Sequence, residues 1–352
     1  MKVYRAIGLM SGSSLDGLDV AFCTFNLYKN TWKYTIVSAE TFAFPPRLLE
    51  KLKSAASLNA FSYMKLNDRF GKFSAKCVND FIKENAITKN IVDVVASHGH
   101  TVFHRPELGF STQVGCGATI NALTGIPTVC DFRSVDVALG GQGAPLVPVG
   151  DELLFSEHSA RLNIGGIANI SYKKNDKIIA FDVCLANIAL NYLTQRYFNC
   201  DFDKNGNLAK NGRIIDQLLR QLNNLPYYKK PAPKSLGRED FEKDILPLLH
   251  HLPIDSLRTL VEHISDVLAN ELNQHESCLV TGGGAYNSFL MERIKEKTIC
   301  NIIIPDDYTI QFKEALIFAF LGTLRLRNEI NTLSSVTGAS RNSIGGALYQ
   351  SK

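Results

Sequence analysis

The chain has 352 residues, of which 45% are hydrophobic and 20% are charged, and its formal net charge is +4. This length exceeds what one hydrophobic core usually supports, so we expect two domains. No apolar run approaches the ~20 residues that a membrane helix needs, which argues against a membrane-embedded protein. The first residues contain no apolar stretch of signal-peptide length, and we therefore expect a cytoplasmic protein.

Charge and cysteine usage argue against two further classes of protein. The basic pair Lys229-Lys230 is typical of a solvated loop, so we do not expect a nucleic-acid partner. The cysteines form no CxxC pair and lie mostly in apolar segments, which favours buried free thiols over zinc ligands or disulfides. They are Cys23, Cys77, Cys116, Cys130, Cys184, Cys200, Cys278 and Cys300.

The first half of the chain begins with three strands and continues with alternating helices and strands. Apolar and β-branched patterns predict an antiparallel meander at residues 3–10, 18–25 and 32–42. Helical periodicity follows at about residues 47–57 and 61–85. A strand at 92–97 and a strand–helix–strand run ending near Cys130 give the order βββαβαβ.

The second half repeats that order. Its predicted strands are residues 161–164, 168–172, 177–181, 277–281 and 298–304. Its predicted helices are residues 186–198, 212–222, 256–274, a helix from Tyr286, and 311–327. The halves share element order but no obvious residue identity, and the glycine-rich turn at residues 140–143 is the predicted hinge.

Each half carries a turn of small residues after its first strand. The turns are Ser11-Gly12-Ser13-Ser14-Leu15-Asp16-Gly17 and Asn163-Ile164-Gly165-Gly166-Ile167-Ala168-Asn169. Such turns can direct backbone N–H and hydroxyl groups at a phosphate oxygen. Either turn alone is also explained as a tight hairpin, but two at equivalent positions would hold a triphosphate from both sides. The pair therefore predicts ATP binding.

A third glycine cluster joins a buried strand to a helix at residues 278–287. Glycines here would let an adenine ring or a ribose approach the backbone, next to a helix N-terminus that favours anions. The cluster matches neither the Walker A pattern nor the dinucleotide fingerprint. By itself it is as well explained by a structural role.

These motifs, with others in the same order, resemble those of anhydro-N-acetylmuramic acid kinases. Residues 8–19 are similar to the family signature GxMSGTSLDGxD, and residues 97–104 to SHGQTVxH. Residues 131–133 and 140–146 match DFR and GGQGAPL. The further matching segments are residues 163–170, 234–239 and 282–287. The resemblance extends over roughly residues 7–339.

The resemblance implies both a fold and a reaction. The fold is α/β, with two RNase H-like domains of the actin-like ATPase type, mixed five-stranded sheets and an interdomain cleft. The N-terminal domain would contain residues 1–130 and about 330–352, and the C-terminal domain residues 131–329. The enzyme would use ATP to open the 1,6-anhydro bridge of 1,6-anhydro-N-acetylmuramic acid and phosphorylate O6. The products would be N-acetylmuramic acid 6-phosphate and ADP, in peptidoglycan recycling.

The resemblance also assigns binding residues. The ATP set is Ser11, Gly12, Ser13, Ser14, Leu15, Asp16, Gly17, Leu18, Asp19, Asn163, Gly165, Gly166, Gly282, Gly283, Gly284 and Asn287. The sugar set is His98, His104, Asp131, Arg133, Gln142 and Asn187. Mg²⁺ is expected because phosphoryl transfer needs charge neutralisation, and Asp16 is its expected ligand, through water. Arg133 can bind the lactyl carboxylate with two parallel hydrogen bonds, although a surface ion pair explains it equally well.

Asp182 is the expected catalytic residue. An anhydro sugar has no free 6-hydroxyl, so the enzyme must activate water to open the bridge. Asp182 matches the catalytic aspartate of the family and would be the general base. Without the family match, an aspartate that caps the next helix is an equal alternative.

Residues 181–187 depart from the family pattern, and this leaves alternatives open. They read FDVCLAN where the family has FDTGPGN, so a hydroxyl and two glycines are missing. The chain is therefore either a divergent member with the same reaction or a paralogue for another sugar. A non-catalytic ATP-binding clamp is a further alternative, disfavoured by residues 97–104 and 131–146. A homodimer is an alternative to a monomer.

Overall fold

The computed structural model describes residues 2–12, 15–232, 234–250 and 252–350. Its strands are β1 (Val3–Met10), β2 (Leu18–Tyr28), β3 (Thr31–Phe42), β4 (Val94–Ser97), β5 (His100–Arg105), β6 (Phe110–Val114), β7 (Thr128–Cys130), β8 (Ala160–Ile164), β9 (Ile167–Lys174), β10 (Lys177–Leu185), β11 (Ser277–Thr281), β12 (Asn301–Ile303) and β13 (Ala347–Tyr349). Its α-helices are α1 (Pro46–Lys53), α2 (Ala60–Glu84), α3 (Gly117–Thr124), α4 (Ser134–Ala138), α5 (Val147–Leu154), α6 (Asn187–Tyr197), α7 (Asn207–Lys210), α8 (Asp216–Asn223), α9 (Arg238–Asp240), α10 (Pro253–Leu272), α11 (Ser288–Lys297), α12 (Asp307–Leu326) and α13 (Ser334–Thr337).

The chain divides into two compact units. The first contains Met1–Leu154 and Phe312–Lys352, and the second contains Phe155–Gln311. This division differs from the predicted one, because residues 131–154 and 312–329 belong to the first unit. The chain therefore passes from unit to unit after residue 154 and again after residue 311, within α12.

A six-stranded sheet forms the centre of the first unit, in the order β13-β7-β4-β1-β2-β3. β1 pairs antiparallel with β2 and parallel with β4, and β4 pairs parallel with β7. Strands β5 and β6 form a separate hairpin. An antiparallel meander extended by two parallel strands is the RNase H-like order, to which β13 adds an antiparallel edge strand.

The second unit repeats this plan with five strands, in the order β10-β9-β8-β11-β12. β8 pairs antiparallel with β9 and parallel with β11, which pairs parallel with β12. The prediction of two RNase H-like domains is confirmed. β10 lies at the edge of its sheet, so one side of its backbone needs partners from outside the sheet.

Each unit has its own hydrophobic core. In the first unit, Ile7 and Phe22 of the sheet pack with Phe70 and Phe81 of α2. In the second unit, the core includes strand residues of β8, β9 and β11 and the buried face of α10, and all of its members lie between Ala160 and Ile310. Helical and strand periodicities in the sequence reflect these two cores.

Packing explains why residues 131–154 belong to the first unit. The buried carboxylate of Asp136 accepts hydrogen bonds from the Gly143 N–H and from the Thr337 hydroxyl, both at 2.7 Å. Gly150 lies so close to Ile317 of α12 that a Cβ would come within 2.7 Å of its side chain. The turn at residues 140–143, predicted as a hinge, thus lies inside one unit.

All eight cysteines are free thiols, but they are not all buried. Cys116 and Cys130 are half-buried and Cys200 is exposed, which corrects the prediction of buried thiols at these positions. Among the residues that the structure describes, no helix is long and apolar enough to cross a bilayer.

Candidate active site

The first-unit turn after β1 is only partly described, because Ser13 and Ser14 lie outside the described residues. The buried Ser11 hydroxyl forms a 3.0 Å hydrogen bond with Nδ1 of His100. The Leu15 N–H donates to the Gly12 carbonyl, and the positive φ of Leu15, 60°, lets the chain reverse there.

One carboxylate lies in this turn and another in the strand that follows it, and they differ in environment. Asp16 is exposed, whereas Asp19 on β2 accepts a 2.6 Å hydrogen bond from the Thr41 hydroxyl. Burial raises the pKa of Asp19, the Thr41 hydrogen bond opposes this, and the charge of Asp16 raises the pKa further. No group of three or more His, Cys, Asp or Glu that could hold a metal occurs among the described residues.

Arg133 and His98 form one hydrogen-bonded unit. Nδ1 of His98 lies 2.9 Å from the Gly99 carbonyl, so this nitrogen carries the proton and Nε2 is an acceptor. Nε and Nη2 of Arg133 donate to that Nε2 at 3.2 and 2.8 Å, and Nη1 donates to the Gly143 carbonyl at 2.9 Å. One N–H on each of Nη1 and Nη2 remains for a ligand.

Burial sets the charges of this pair. Burial lowers the pKa of His98 to about 3, and the adjacent Arg133 lowers it further, so His98 is neutral at pH 7. Burial also lowers the pKa of Arg133 to about 10, which still leaves the guanidinium charged. The pair therefore presents a fixed, half-buried cation.

The other predicted sugar-binding residues of this unit have partners of their own. His104, on β5, contacts the Ser111 hydroxyl at 3.1 Å. Asp131 adopts a positive φ of 56° and accepts a 2.5 Å hydrogen bond from the Ser134 hydroxyl. Gln142 is exposed, and its N–H donates to the Thr337 carbonyl at 2.8 Å.

Sequence reasoning missed Glu314 on α12. The groups packed around its carboxyl exclude water and so raise the pKa of Glu314. The charge of Lys313 opposes this shift, and that of Asp19 adds to it. A carboxylate directly before the apolar run ALIFAF of the helix was the available signal.

The second-unit glycine turn connects β8 to β9 and supports the start of α6. The N–H groups of Ala186 and Ile188 donate to the Gly166 carbonyl, and that of Asn187 donates to the Gly165 carbonyl at 3.2 Å. The Asn187 side chain also donates to the Ile164 carbonyl at 3.3 Å. The predicted ligand Asn187 is thus fixed directly against the turn.

The three-glycine segment packs against the same turn. Gly282 has a φ of 84°, and a Cβ there would lie 2.6 Å from Oδ1 of Asn163. A Cβ on Gly284 would lie 2.2 Å from the Ile164 side chain, whereas one on Gly283 would meet nothing closer than 4.0 Å. The structure therefore brings together the two nucleotide-binding motifs that were predicted in this half.

An open cavity of about 630 Å³ adjoins this segment. Ala285, Tyr286, Met291, Lys295 and Ile304 are among its lining residues. Asn287, predicted to bind ATP, caps α11 through a 3.0 Å hydrogen bond from the Leu290 N–H. An apolar wall with a few polar groups suits a flat aromatic ring.

Asp182 lies within β10 and not at its end. Its carboxylate accepts a 2.9 Å hydrogen bond from the Leu236 N–H and does not cap α6. Burial raises the pKa of Asp182, and the Leu236 hydrogen bond opposes this shift. A carboxylate with a raised pKa is a stronger base than an ordinary aspartate.

The residues that depart from the family pattern lie in the core. Val183, Cys184, Leu185 and Ala186 are each at most 4% exposed. Burial raises the pKa of Cys184 to about 12, so its thiol stays protonated. The substitutions therefore change packing behind Asp182 and place no new functional group in solvent.

Two RNase H-like units in one chain, with a glycine turn packed against a three-glycine strand end, define the actin-like ATPase class of fold. The family model described as anhydro-N-acetylmuramic acid kinase matches residues 4–351. The chain belongs to this family.

Individual relatives align over nearly the whole chain. The chain is 35% identical over 370 residues to the anhydro-N-acetylmuramic acid kinase of Sulfurimonas denitrificans, covering 98% of this chain and 99% of that protein. It is 36% identical over 365 residues to that of Actinobacillus pleuropneumoniae serotype 7, covering 97% and 98%. A solved structure, the activator of 2-hydroxyisocaproyl-CoA dehydratase from Clostridium difficile with bound ADPNP, matches with a TM-score of 0.43 and 13% identity, covering 92% of this chain and 97% of that one.

Proposed function

We propose that the chain is an ATP-dependent kinase that opens the 1,6-anhydro bridge of 1,6-anhydro-N-acetylmuramic acid and phosphorylates O6. The family match over residues 4–351 carries this proposal. The products are N-acetylmuramic acid 6-phosphate and ADP. The reaction serves peptidoglycan recycling, and cytoplasmic location and homodimer assembly stay predictions.

Asp182 activates the water in this reaction. Its carboxylate takes a proton from water, and the resulting hydroxide oxygen bonds to the anomeric carbon. The bond from that carbon to O6 breaks with its electron pair on O6, which attacks the γ-phosphorus and displaces ADP. The raised pKa of Asp182 supports this role, since a general base works best when its pKa approaches the working pH.

The second unit supplies one part of the nucleotide contacts. We place phosphates at Asn163, Gly165 and Gly166, and the base in the cavity beside Gly282–Gly284. The open space at Gly283 and the close approach of both segments support this placement. The first-unit turn, with Ser11 to Asp19, remains a proposed phosphate contact.

The sugar's lactyl carboxylate binds Arg133 in this proposal. The two N–H groups left on Nη1 and Nη2 match the two oxygens of a carboxylate. His98 holds the guanidinium from the other side. His104, Asp131, Gln142 and Asn187 remain proposed sugar contacts.

Magnesium would neutralise charge between the β- and γ-phosphates. Asp16 fits a water-mediated ligand, because its side chain is exposed. The described residues contain no three-ligand cluster, which suits an ion held chiefly by phosphates and water.

An assay with ATP and 1,6-anhydro-N-acetylmuramic acid tests the proposal. ADP release should require this sugar, and mass spectrometry should show N-acetylmuramic acid 6-phosphate. In ¹⁸O-water the label should enter the anomeric hydroxyl and not the phosphate, if the product is analysed before anomeric exchange. Preference for free N-acetylmuramic acid or for another anhydro sugar would contradict the proposal.

A further inference from the structure

The main-chain N–H, the carbonyl and the carboxylate of Asp182 all form hydrogen bonds with one segment of the second unit. This segment begins at Tyr227 and ends at Leu236. The Tyr227 hydroxyl donates to the Asp182 carbonyl at 2.5 Å. The Asp182 N–H donates to the Lys234 carbonyl at 3.1 Å, and the Leu236 N–H donates to the carboxylate at 2.9 Å. Three hydrogen bonds thus fix one residue from outside its own sheet.

The sheet itself pairs Asp182 on one side only. β10 is an edge strand, and its pairing with β9 is irregular between Asp182 and Cys184. A bulge leaves backbone groups unpaired and re-aims the side chains next to it. The orientation of the Asp182 side chain therefore depends on the segment outside the sheet.

Tyr227 anchors that segment. It is 8% exposed, so its hydroxyl has little competition from water. The Lys234 ammonium lies 4.8 Å from the centre of the Tyr227 ring and 5.5 Å from that of Phe181, the neighbour of Asp182. The Tyr227 hydroxyl thus contacts the main chain of Asp182, and the Tyr227 ring contacts Lys234, whose ammonium also lies near Phe181.

We propose that Tyr227 is a positioning residue for the reaction, which holds Asp182 at the bulge in the orientation that lets its carboxylate activate water. This inference rests on the proposed role of Asp182. Tyr227 does not touch the substrate in this scheme and acts only through Asp182.

Tyr228 provides a matched control. It is the next residue, and it is partly buried, but its hydroxyl forms a 2.8 Å hydrogen bond with Nε2 of His263 and none with Asp182. Replacing either tyrosine by phenylalanine removes one hydroxyl and keeps the ring. Any general loss of packing should therefore affect both variants.

The experiment compares Tyr227→Phe and Tyr228→Phe in the full chain. We expect Tyr227→Phe to lower kcat about 10- to 100-fold, because small displacements of a catalytic group have effects of this size. ATP affinity and melting temperature should match those of Tyr228→Phe. The acid limb of the kcat/KM profile should move to higher pH, since loosening the Leu236 hydrogen bond removes a contact that lowers the pKa of Asp182.

Two results with the tyrosine variants would overturn the inference. One is a wild-type kcat and pH profile in Tyr227→Phe, and the other is an equal loss of activity in both variants. The variant Asp182→Asn separates this inference from the proposed function. If Asp182→Asn is inactive while Tyr227→Phe is normal, only the positioning role fails. If Asp182→Asn stays active, the proposed base is wrong and the role of Tyr227 fails with it.

Discussion

At the scale of single residues, burial controls the protonation of the groups to which we assign chemistry in this chain. Burial raises the pKa of the Asp182 carboxyl and lowers that of the His98 imidazole, in opposite directions for the same reason: each shift favours the uncharged form. One group becomes a better base, and the other becomes a neutral acceptor for Arg133.

Replacing Asp182 by asparagine should remove basicity and keep shape. We expect turnover of 1,6-anhydro-N-acetylmuramic acid to fall about 10²–10⁴-fold, the usual contribution of a general base. ATP affinity, measured by calorimetry, should change little. Near-normal turnover would refute the assignment and make Asp16 or Asp131 the next residue to test.

The pH profile tests the environment of the same carboxyl. A general base acts only when deprotonated, so activity is lost as pH falls through its pKa. Because burial raises the pKa of Asp182, the acid limb of kcat/KM should lie above the ordinary aspartate value of about 3.9. An acid limb at or below that value would show that burial does not control this group.

Arg133 can be tested with paired substrates. The variant Arg133→Ala should raise the KM for 1,6-anhydro-N-acetylmuramic acid, since a charge-assisted bond to the lactyl carboxylate is lost. The KM for 1,6-anhydro-N-acetylglucosamine, which has no lactyl group, should not change. A similar rise for both sugars would place Arg133 in a structural role.

At the scale of elements, the second unit brings two glycine segments into contact. Their glycines have different structural surroundings. Gly284 lies against Ile164, whereas Gly283 faces open space. The sequence alone predicts the glycine cluster, but it cannot tell which glycine is packed against a neighbour and which faces open space.

Substitutions at the two positions should therefore differ. Gly283→Leu should weaken ATP binding and leave the melting temperature unchanged, since its side chain would occupy space used by the nucleotide. Gly284→Ala should destabilise the fold by about 1–3 kcal/mol, the usual cost of overpacking. Calorimetry and thermal unfolding distinguish the effects, and unchanged ATP affinity in folded Gly283→Leu would remove this segment from the nucleotide site.

At the scale of the whole molecule, the two units differ in how the chain builds them. The second unit is one continuous segment with its own core, whereas the first needs residues from both ends of the chain. Within the first unit, Phe320 of α12 packs its ring 5.2 Å from Phe25 and 5.1 Å from Trp32.

Expression of fragments should reveal this difference. Residues 155–311 should give a cooperative thermal transition by circular dichroism, because their core is complete. Residues 1–154 should not, because they lack the α12 residues that complete theirs. The opposite result would contradict the division into units, and neither fragment should turn over the sugar.

The sequence by itself determined the repeated order of elements, the RNase H-like plan and the family. These features depend on periodicity and on short motifs, which are properties of neighbouring residues. The predicted ends of the strands and helices were less accurate. The strand predicted at residues 177–181 continues, as β10, to Leu185 and contains Asp182. Local patterns mark the middle of an element better than its ends.

Only the tertiary structure decided what holds the proposed catalytic groups. Tyr227 and Leu236 reach Asp182 from 45 and 54 residues away, and His98 reaches Arg133 from 35 residues away. The division at residues 154 and 311 likewise follows from packing on α12. Such contacts depend on which strand lies at a sheet edge and which segment covers it. A short stretch of sequence cannot predict such contacts, because the two residues in each contact are far apart in the chain and only the folded sheet brings them together.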